Sequence, residues 1–147
     1  MTIRFLAAGA VLTLTLSSRL AADCGPPPPT CEALAHAVLV FYGEVLESTF
    51  HPNYVAPNEA STDGRQEVRF NVHEGFKGAQ KGLFTGTFSI TSEAVSFRQS
   101  RRYVVYASQH EGRWVTTCSR TREMSKPTEA AVLGELAELG ACRQPAR

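Results

Sequence analysis

Apolar residues recur along the chain at two spacings, and the spacings divide it into strands and helices. Tyr103 to Ala107, YVVYA, is an unbroken aromatic and β-branched run, the composition of a strand buried on both faces. Arg113 to Cys118 alternates, with Trp114 and Thr116 on one side and Val115 and Thr117 on the other. Between the two runs, the polar Gln109-His110-Glu111-Gly112 carries a glycine able to take the positive φ of a hairpin loop. Arg102 to Ser119 therefore reads as a central β-ribbon. Three more strands precede it. Ala37 to Glu47, AVLVFYGEVLE, is the longest, and Gly43 within it predicts a bulge or bend of the kind a closing sheet needs. Gln66 to His73 sets Val68, Phe70 and Val72 on one face against Arg69 and Asn71 on the other. Leu83 to Thr91 offers Phe84, Phe88 and Ile90, and Phe76 in the glycine-broken stretch before it is expected to tuck inward.

The helical spacing appears at the two ends. Thr30 can cap a short helix through Glu32 to Ala35. Pro127 opens a longer one over Thr128 to Leu139, with Val132, Leu136 and Leu139 as its apolar stripe, Leu133 and Ala137 alongside, and Gly140 placed to end it. On this reading Glu135 and Glu138 fall on the polar side as solvated charge. Ser48 to Arg65, with Pro52, Pro57 and Gly64, reads as a long exposed loop and a candidate functional surface. Ser92 to Arg101 is a loop or short turn, and Ser119 to Lys126 is polar. Five strands with a short N-terminal helix and a C-terminal helix predict a mainly β chain folded as a small closed or partly open barrel.

The first 22 residues change where the domain begins. Arg4 followed by the apolar Phe5 to Leu16 and small residues up to Ala22 has the order of a secretory signal peptide, with cleavage expected near Ala22. The apolar run is too short for a transmembrane helix. Removing residues 1–22 from 147 leaves 125, the size of one domain, residues 23–147. The leader also takes Arg4 and Arg19 with it, so 15 Lys plus Arg become 13 against 14 Asp plus Glu. A near-neutral chain argues against nucleic acid or anionic lipid as a partner recognised by bulk charge.

All four cysteines, Cys24, Cys31, Cys118 and Cys142, follow the leader. An even number in an exported chain predicts two disulfides, and counting alone leaves three pairings open. The spacing of Cys24 and Cys31 does not suit a zinc site. His36, His51, His73 and His110 share no metal-ligand spacing, and no serine sits in a G-x-S-x-G context. No metal, no cofactor and no catalytic residue are therefore expected, and the chain is read as non-enzymatic. Arg98, Arg101 and Arg102, with Lys77 and Lys81, are candidates for a basic groove able to take an anionic ligand such as a polysaccharide, against a bland reading as scattered solubilising charge.

Several of these pieces, in this order, resemble the netrin-like module shared by the tissue inhibitors of metalloproteinases. Cys24-Gly-Pro-Pro-Pro-Pro-Thr-Cys31 is similar to the family's proline-rich lead segment, and Phe41-Tyr-Gly43-Glu-Val45 to its first strand. Phe70-Asn-Val72 with Phe76-Lys77-Gly78 is similar to the second strand and its turn, and Tyr103 to Ala107 with Thr116-Thr117-Cys118-Ser119 to the last two strands. The resemblance implies a five-stranded OB-like closed barrel. It also implies the bonds Cys24–Cys118 and Cys31–Cys142. A third family bond would need a cysteine at Ala22 and another within Ser92 to Phe97, and both are absent here.

In the inhibitors, the α-amine and carbonyl of the first cysteine chelate the protease's zinc. Here the expected mature start is Asp23, so the edge Asp23, Cys24, Gly25 and Pro26 is where binding is expected. The leading expectation is an exported, monomeric, netrin-like domain that binds a secreted or envelope protein. The alternative is inhibition of a zinc metalloproteinase through Asp23-Cys24, and a third reading is a stabilised envelope module without a dedicated ligand.

Overall fold

The computed structural model describes residues 24–57 and 59–143; residues 1–22 and Asp23, with the expected leader, its cleavage site and the first member of the expected binding edge, lie outside them. The elements in chain order are α1 (Thr30–His36), β1 (Leu39–Ala56), β2 (Glu59–Lys77), β3 (Gly82–Ile90), β4 (Arg102–His110), β5 (Arg113–Val115), β6 (Arg122–Met124) and α2 (Glu129–Cys142). The strands pair in the order β1-β2-β3-β5-β4, and β4 returns to β1, closing a five-stranded OB-like barrel. All pairings are antiparallel except the short β3–β5 contact at Phe88↔Trp114 and Ser89↔Val115. Closure removes most of the free strand edge that an open sheet of this size would expose.

β4 shows why its sequence carries no alternation. Tyr103, Val105 and Ala107 point into the barrel, beside Phe41, Phe70, Phe88 and Phe97. Val104 and Tyr106 point outward, into a second core with Ala33, Val40, Phe76, Met124, Val132 and Leu139 that seats the two helices. Both faces of β4 are therefore dry, and all five residues from Tyr103 to Ala107 are buried. Gly43 lies just before β1 leaves β4 while staying on β2: a register shift against β2 falls between Tyr42 and Gly43, and β1–β4 pairing ends at Glu44↔Arg102. A Cβ at Gly43 would lie 2.7 Å from the Asn71 carbonyl, so the close approach of β2 there admits only glycine. The β4–β5 loop narrows to two residues, Glu111 (φ 49) and Gly112 (φ 74), the paired positive φ of a primed hairpin turn.

Five expectations change. Ser48 to Arg65 is a β-ribbon, not a loop: β1 and β2 continue past the barrel and stay paired as far as Ala56↔Glu59. Register shifts between Val45 and Glu47, Pro52 and Tyr54, and Tyr54 and Ala56 absorb the irregular residues. Pro52 is tolerated because this part of β1 is an edge with no neighbour on its far side. The polar stretch after Cys118 contains a strand, β6, which pairs with β4 at Arg102↔Met124 to Val104↔Arg122. Gly140 does not end α2, which runs to Cys142. Thr30 does not cap α1 through its side chain; its hydroxyl donates to Glu138 Oε2 at 2.5 Å. Glu135 is not solvated: it is 2% exposed, in the centre of the helix contact.

A second buried polar device closes the barrel end. Gln66, 4% exposed, accepts from the Phe97 N–H at 2.9 Å and donates to the Phe97 carbonyl at 2.7 Å. Its amide stands in for a strand partner and pulls the 92–101 loop over the aromatic core.

Candidate binding edge

The described part of the expected edge, Cys24 to Pro29, belongs to no helix or strand. Four consecutive prolines cannot donate to a sheet ladder and hold φ near its extended value, so the segment is stiff without being paired. Its position is set at three points. Cys24 is bonded to Cys118, just beyond β5, and Cys31, in the first turn of α1, is bonded to Cys142, the last residue of α2. Those are the pairs the family resemblance implied. Between the bonds, Arg120 donates through Nη1 to the Pro28 carbonyl at 2.8 Å. Gly25 and Pro26 are exposed, and a Cβ at Gly25 would meet nothing within 4 Å.

Cys118 takes φ 53, in the left-handed region, and this turns the chain sharply from β5 towards β6. Thr121, in the following turn, accepts from the Tyr106 N–H and donates to the Tyr106 carbonyl, both at 2.8 Å. The turn thus lies against β4, and Arg120 is aimed between the proline segment and α2.

Glu135 makes that aim rigid. Its Oε1 accepts from Tyr106 Oη at 2.7 Å and from Arg120 Nε at 2.8 Å, and its Oε2 accepts from Arg122 Nη2. Burial, reinforced by the hydrogen bond to Glu135, pushes the Tyr106 phenol well above the usual tyrosine range. The hydrogen bond to Glu135 also holds the Arg120 guanidinium above its ordinary value, against the opposing effect of burial. One carboxylate therefore ties α2 to β4 and, through Arg120, to the proline segment. The signal for this residue was in the sequence: Val132, Glu135 and Leu139 stand at i, i+3 and i+7, one stripe of a helix.

Around this arrangement lie two cavities. One of about 180 Å3 sits beside the Cys24–Cys118 corner, with Pro28, His36, Tyr106, Ser108, Cys118 and Arg120 among its walls. The other, of about 200 Å3, is walled by Pro27, Ser119, Arg120, Thr121, Arg122 and Glu135.

Four of the basic residues named from the sequence, Arg98, Arg101, Arg102 and Lys77, are individually engaged. Arg98 and Arg101 approach Glu123 at 2.6 and 4.0 Å, and Arg102 donates to Tyr42 Oη at 3.4 Å. Glu123 also accepts from Tyr103 Oη at 3.2 Å, and burial is the main reason the Tyr103 phenol is raised. Lys77 donates to the carbonyls of Leu34 and Ala35 at the end of α1, at 3.1 and 2.9 Å. His36, His51 and His110 each face a single carboxylate, and His73 lies against the Tyr42 ring. Among the described residues no three His, Cys, Asp or Glu are placed to hold a metal ion. None of the described helices is long and apolar enough to cross a membrane. Two disulfides fit an oxidising, extracytoplasmic compartment.

No protein-family model matches the sequence, and no curated protein matches it.

Proposed function

We propose that this protein is an exported, non-enzymatic binding module that presents the edge around Cys24, Gly25 and Pro26 to another macromolecule. The supporting observation is the fixation of that edge. A segment with no place in the sheet is bonded at both ends, to Cys118 and Cys142, and gripped at Pro28 by Arg120. A rigid, exposed segment loses little conformational freedom on binding, so more of its contact energy is available as affinity. Behind it, the buried Glu135 carboxylate is engaged by Tyr106, Arg120 and Arg122, which suits a scaffold role.

Zinc-protease inhibition is the second reading, favoured by one feature. Cys24, the first described residue of the expected edge, is covalently anchored to Cys118, which is the support that a zinc-chelating mature start next to it would need. The similarity of the chain to the netrin-like module points the same way, with fold likeness alone a weak guide to activity.

Affinity capture from the exported fraction tests the main reading, using wild-type protein beside Gly25→Arg and Pro26→Glu, two exposed changes. Loss of the captured partner in both variants, with unchanged circular dichroism, is the expected result. Equal capture by all three proteins overturns the assignment of the edge. For the second reading, N-terminal sequencing must find Asp23 first, and micromolar protein must slow at least one member of a zinc-protease panel. A start elsewhere, or no slowing, rules it out.

A further inference from the structure

We propose that the cavity between Pro27 and α2 binds an oxyanion group through the guanidiniums of Arg120 and Arg122. This goes beyond the edge reading and does not depend on it. The cavity volume, about 200 Å3, is many times the roughly 10–15 Å3 that a single water needs, so a tetrahedral oxyanion with residual water fits.

Its charge is unbalanced. Two guanidiniums, both permanently protonated, face one carboxylate, Glu135. Two other acids on β6 and α2 have partners of their own: Glu123 accepts from Arg98 and Tyr103, and Glu138 accepts from Thr30. Among the described residues, one positive charge is left over at the cavity wall.

The donors are unbalanced too. Each guanidinium has five N–H groups. Arg120 uses two of them, on Glu135 and Pro28, and Arg122 uses two, on Glu135 and Ala131, which leaves three apiece without a protein acceptor among the described residues. One of these, the Arg122 Nε–H, is buried without a hydrogen-bond partner among the described residues. A buried donor without an acceptor costs free energy comparable to a lost hydrogen bond, and an anion's oxygen is the strongest acceptor that can relieve it.

The remaining polar wall narrows the choice of ligand. Ser119 spends its hydroxyl hydrogen on Thr121, at 2.9 Å, and Thr121 spends its own on the Tyr106 carbonyl. The groups with hydrogens still to give are the planar guanidinium forks, whose geometry matches sulfate, phosphate or carboxylate. A ligand that only accepts, and carries negative charge, is what these walls recognise.

Such a group arrives either as a free ion or attached to a larger molecule, and the test separates the two. The oxidised, full mature protein is titrated with sodium sulfate, sodium phosphate and methyl phosphate, against sodium chloride at matched ionic strength. The readouts are the thermal midpoint and the arginine Nε–H resonances by NMR. The expected result is a saturable rise in midpoint with an oxyanion, absent with chloride, and movement of the Arg120 and Arg122 resonances. Methyl phosphate binding as tightly as phosphate assigns the site to a carried group, and binding of the free ions alone assigns it to an inorganic anion. Arg122→Gln is expected to weaken the effect about tenfold or more, whereas Arg98→Gln, altering a guanidinium that faces Glu123, leaves it unchanged. No saturable effect, or an undiminished effect in folded Arg122→Gln, overturns the proposal. If Arg122→Gln does not fold, unmoved Arg120 and Arg122 resonances in the wild-type protein overturn it equally.

Discussion

Replacing Glu135 by Ala tests the central claim, that one buried carboxylate holds the helix, the barrel and the binding edge together. The change removes an acceptor from three donors at once: Tyr106 Oη at 2.7 Å, Arg120 Nε at 2.8 Å, and Arg122 Nη2. Removing one partner of a buried ion pair costs about 3–5 kcal/mol, because the surviving charge stays desolvated. Here the survivors are not fully dry. The Arg120 side chain is 19% exposed and that of Arg122 is 35% exposed, so water reaches both and the loss is expected near the lower end, about 3 kcal/mol. For a domain of this size that lowers the melting midpoint by about 10 °C. Tyr106→Phe removes only one hydrogen bond and is expected to cost about 1 kcal/mol. Since both changes break the same contact, the double variant must cost less than the sum of the two. Urea unfolding reads all three, with the fluorescence of Trp114 as probe: it is the chain's one tryptophan and packs on Phe84 at a centroid distance of 6.1 Å. A Glu135→Ala protein within about 0.5 kcal/mol of wild type, or strictly additive costs, would refute the reasoning.

Two further predictions concern the tyrosines and the barrel end. Tyr103 and Tyr106 both have raised folded-state values, so the folded protein keeps their protons where the unfolded chain, near pH 10, loses them. Their stabilising contribution is therefore complete below about pH 10 and lost as pH rises above it, and the slope should flatten in Tyr106→Phe. Tyrosinate absorbance at high pH should show Tyr103 and Tyr106 ionising later in the folded protein than in the unfolded chain; ionisation of both at the unfolded-chain value would contradict this. Gln66→Leu strands the buried N–H of Phe97, while the Phe97 carbonyl keeps the Ser48 hydroxyl at 3.0 Å, and is expected to cost about 1–3 kcal/mol, with faster amide exchange across 92–101. Unchanged exchange at Phe97 would show that the loop is held by something other than Gln66.

Much of the barrel was legible because its strands advertise themselves. Val68, Phe70 and Val72 alternate, and Tyr103 to Ala107 does not, and the two patterns correspond to one buried face and two. Ser48 to Arg65 misled because proline and glycine are turn formers by local preference. In a two-stranded ribbon the bulges and the unpaired outer edge accommodate them, a tertiary circumstance that local composition does not report. β6 escaped for a similar reason: three residues, Arg122 to Met124, are too few to show a period, and β4 supplies the partner that makes them a strand. Glu135 was readable and was misread. Its charge suggests the polar face, but its spacing from Val132 and Leu139 places it on the buried stripe. Its partners Arg120 and Arg122 could not be named from spacing, since they reach it only through the turn at Cys118.

The two disulfides span 94 and 111 residues and interleave, Cys24 reaching Cys118 before Cys31 reaches Cys142. Both amino-terminal partners are made early in synthesis and both carboxy-terminal partners last. Until Cys118 is made, Cys31 is the one other cysteine in the chain that Cys24 can meet, and a bond between those two would close a small ring that the finished protein must undo. Correct oxidation thus depends on waiting, or on an isomerase. It also acts as proofreading, because a chain truncated anywhere before Cys118 can lock neither end of its proline segment. Only a molecule read through to the last turn of α2 can hold its leading edge in place.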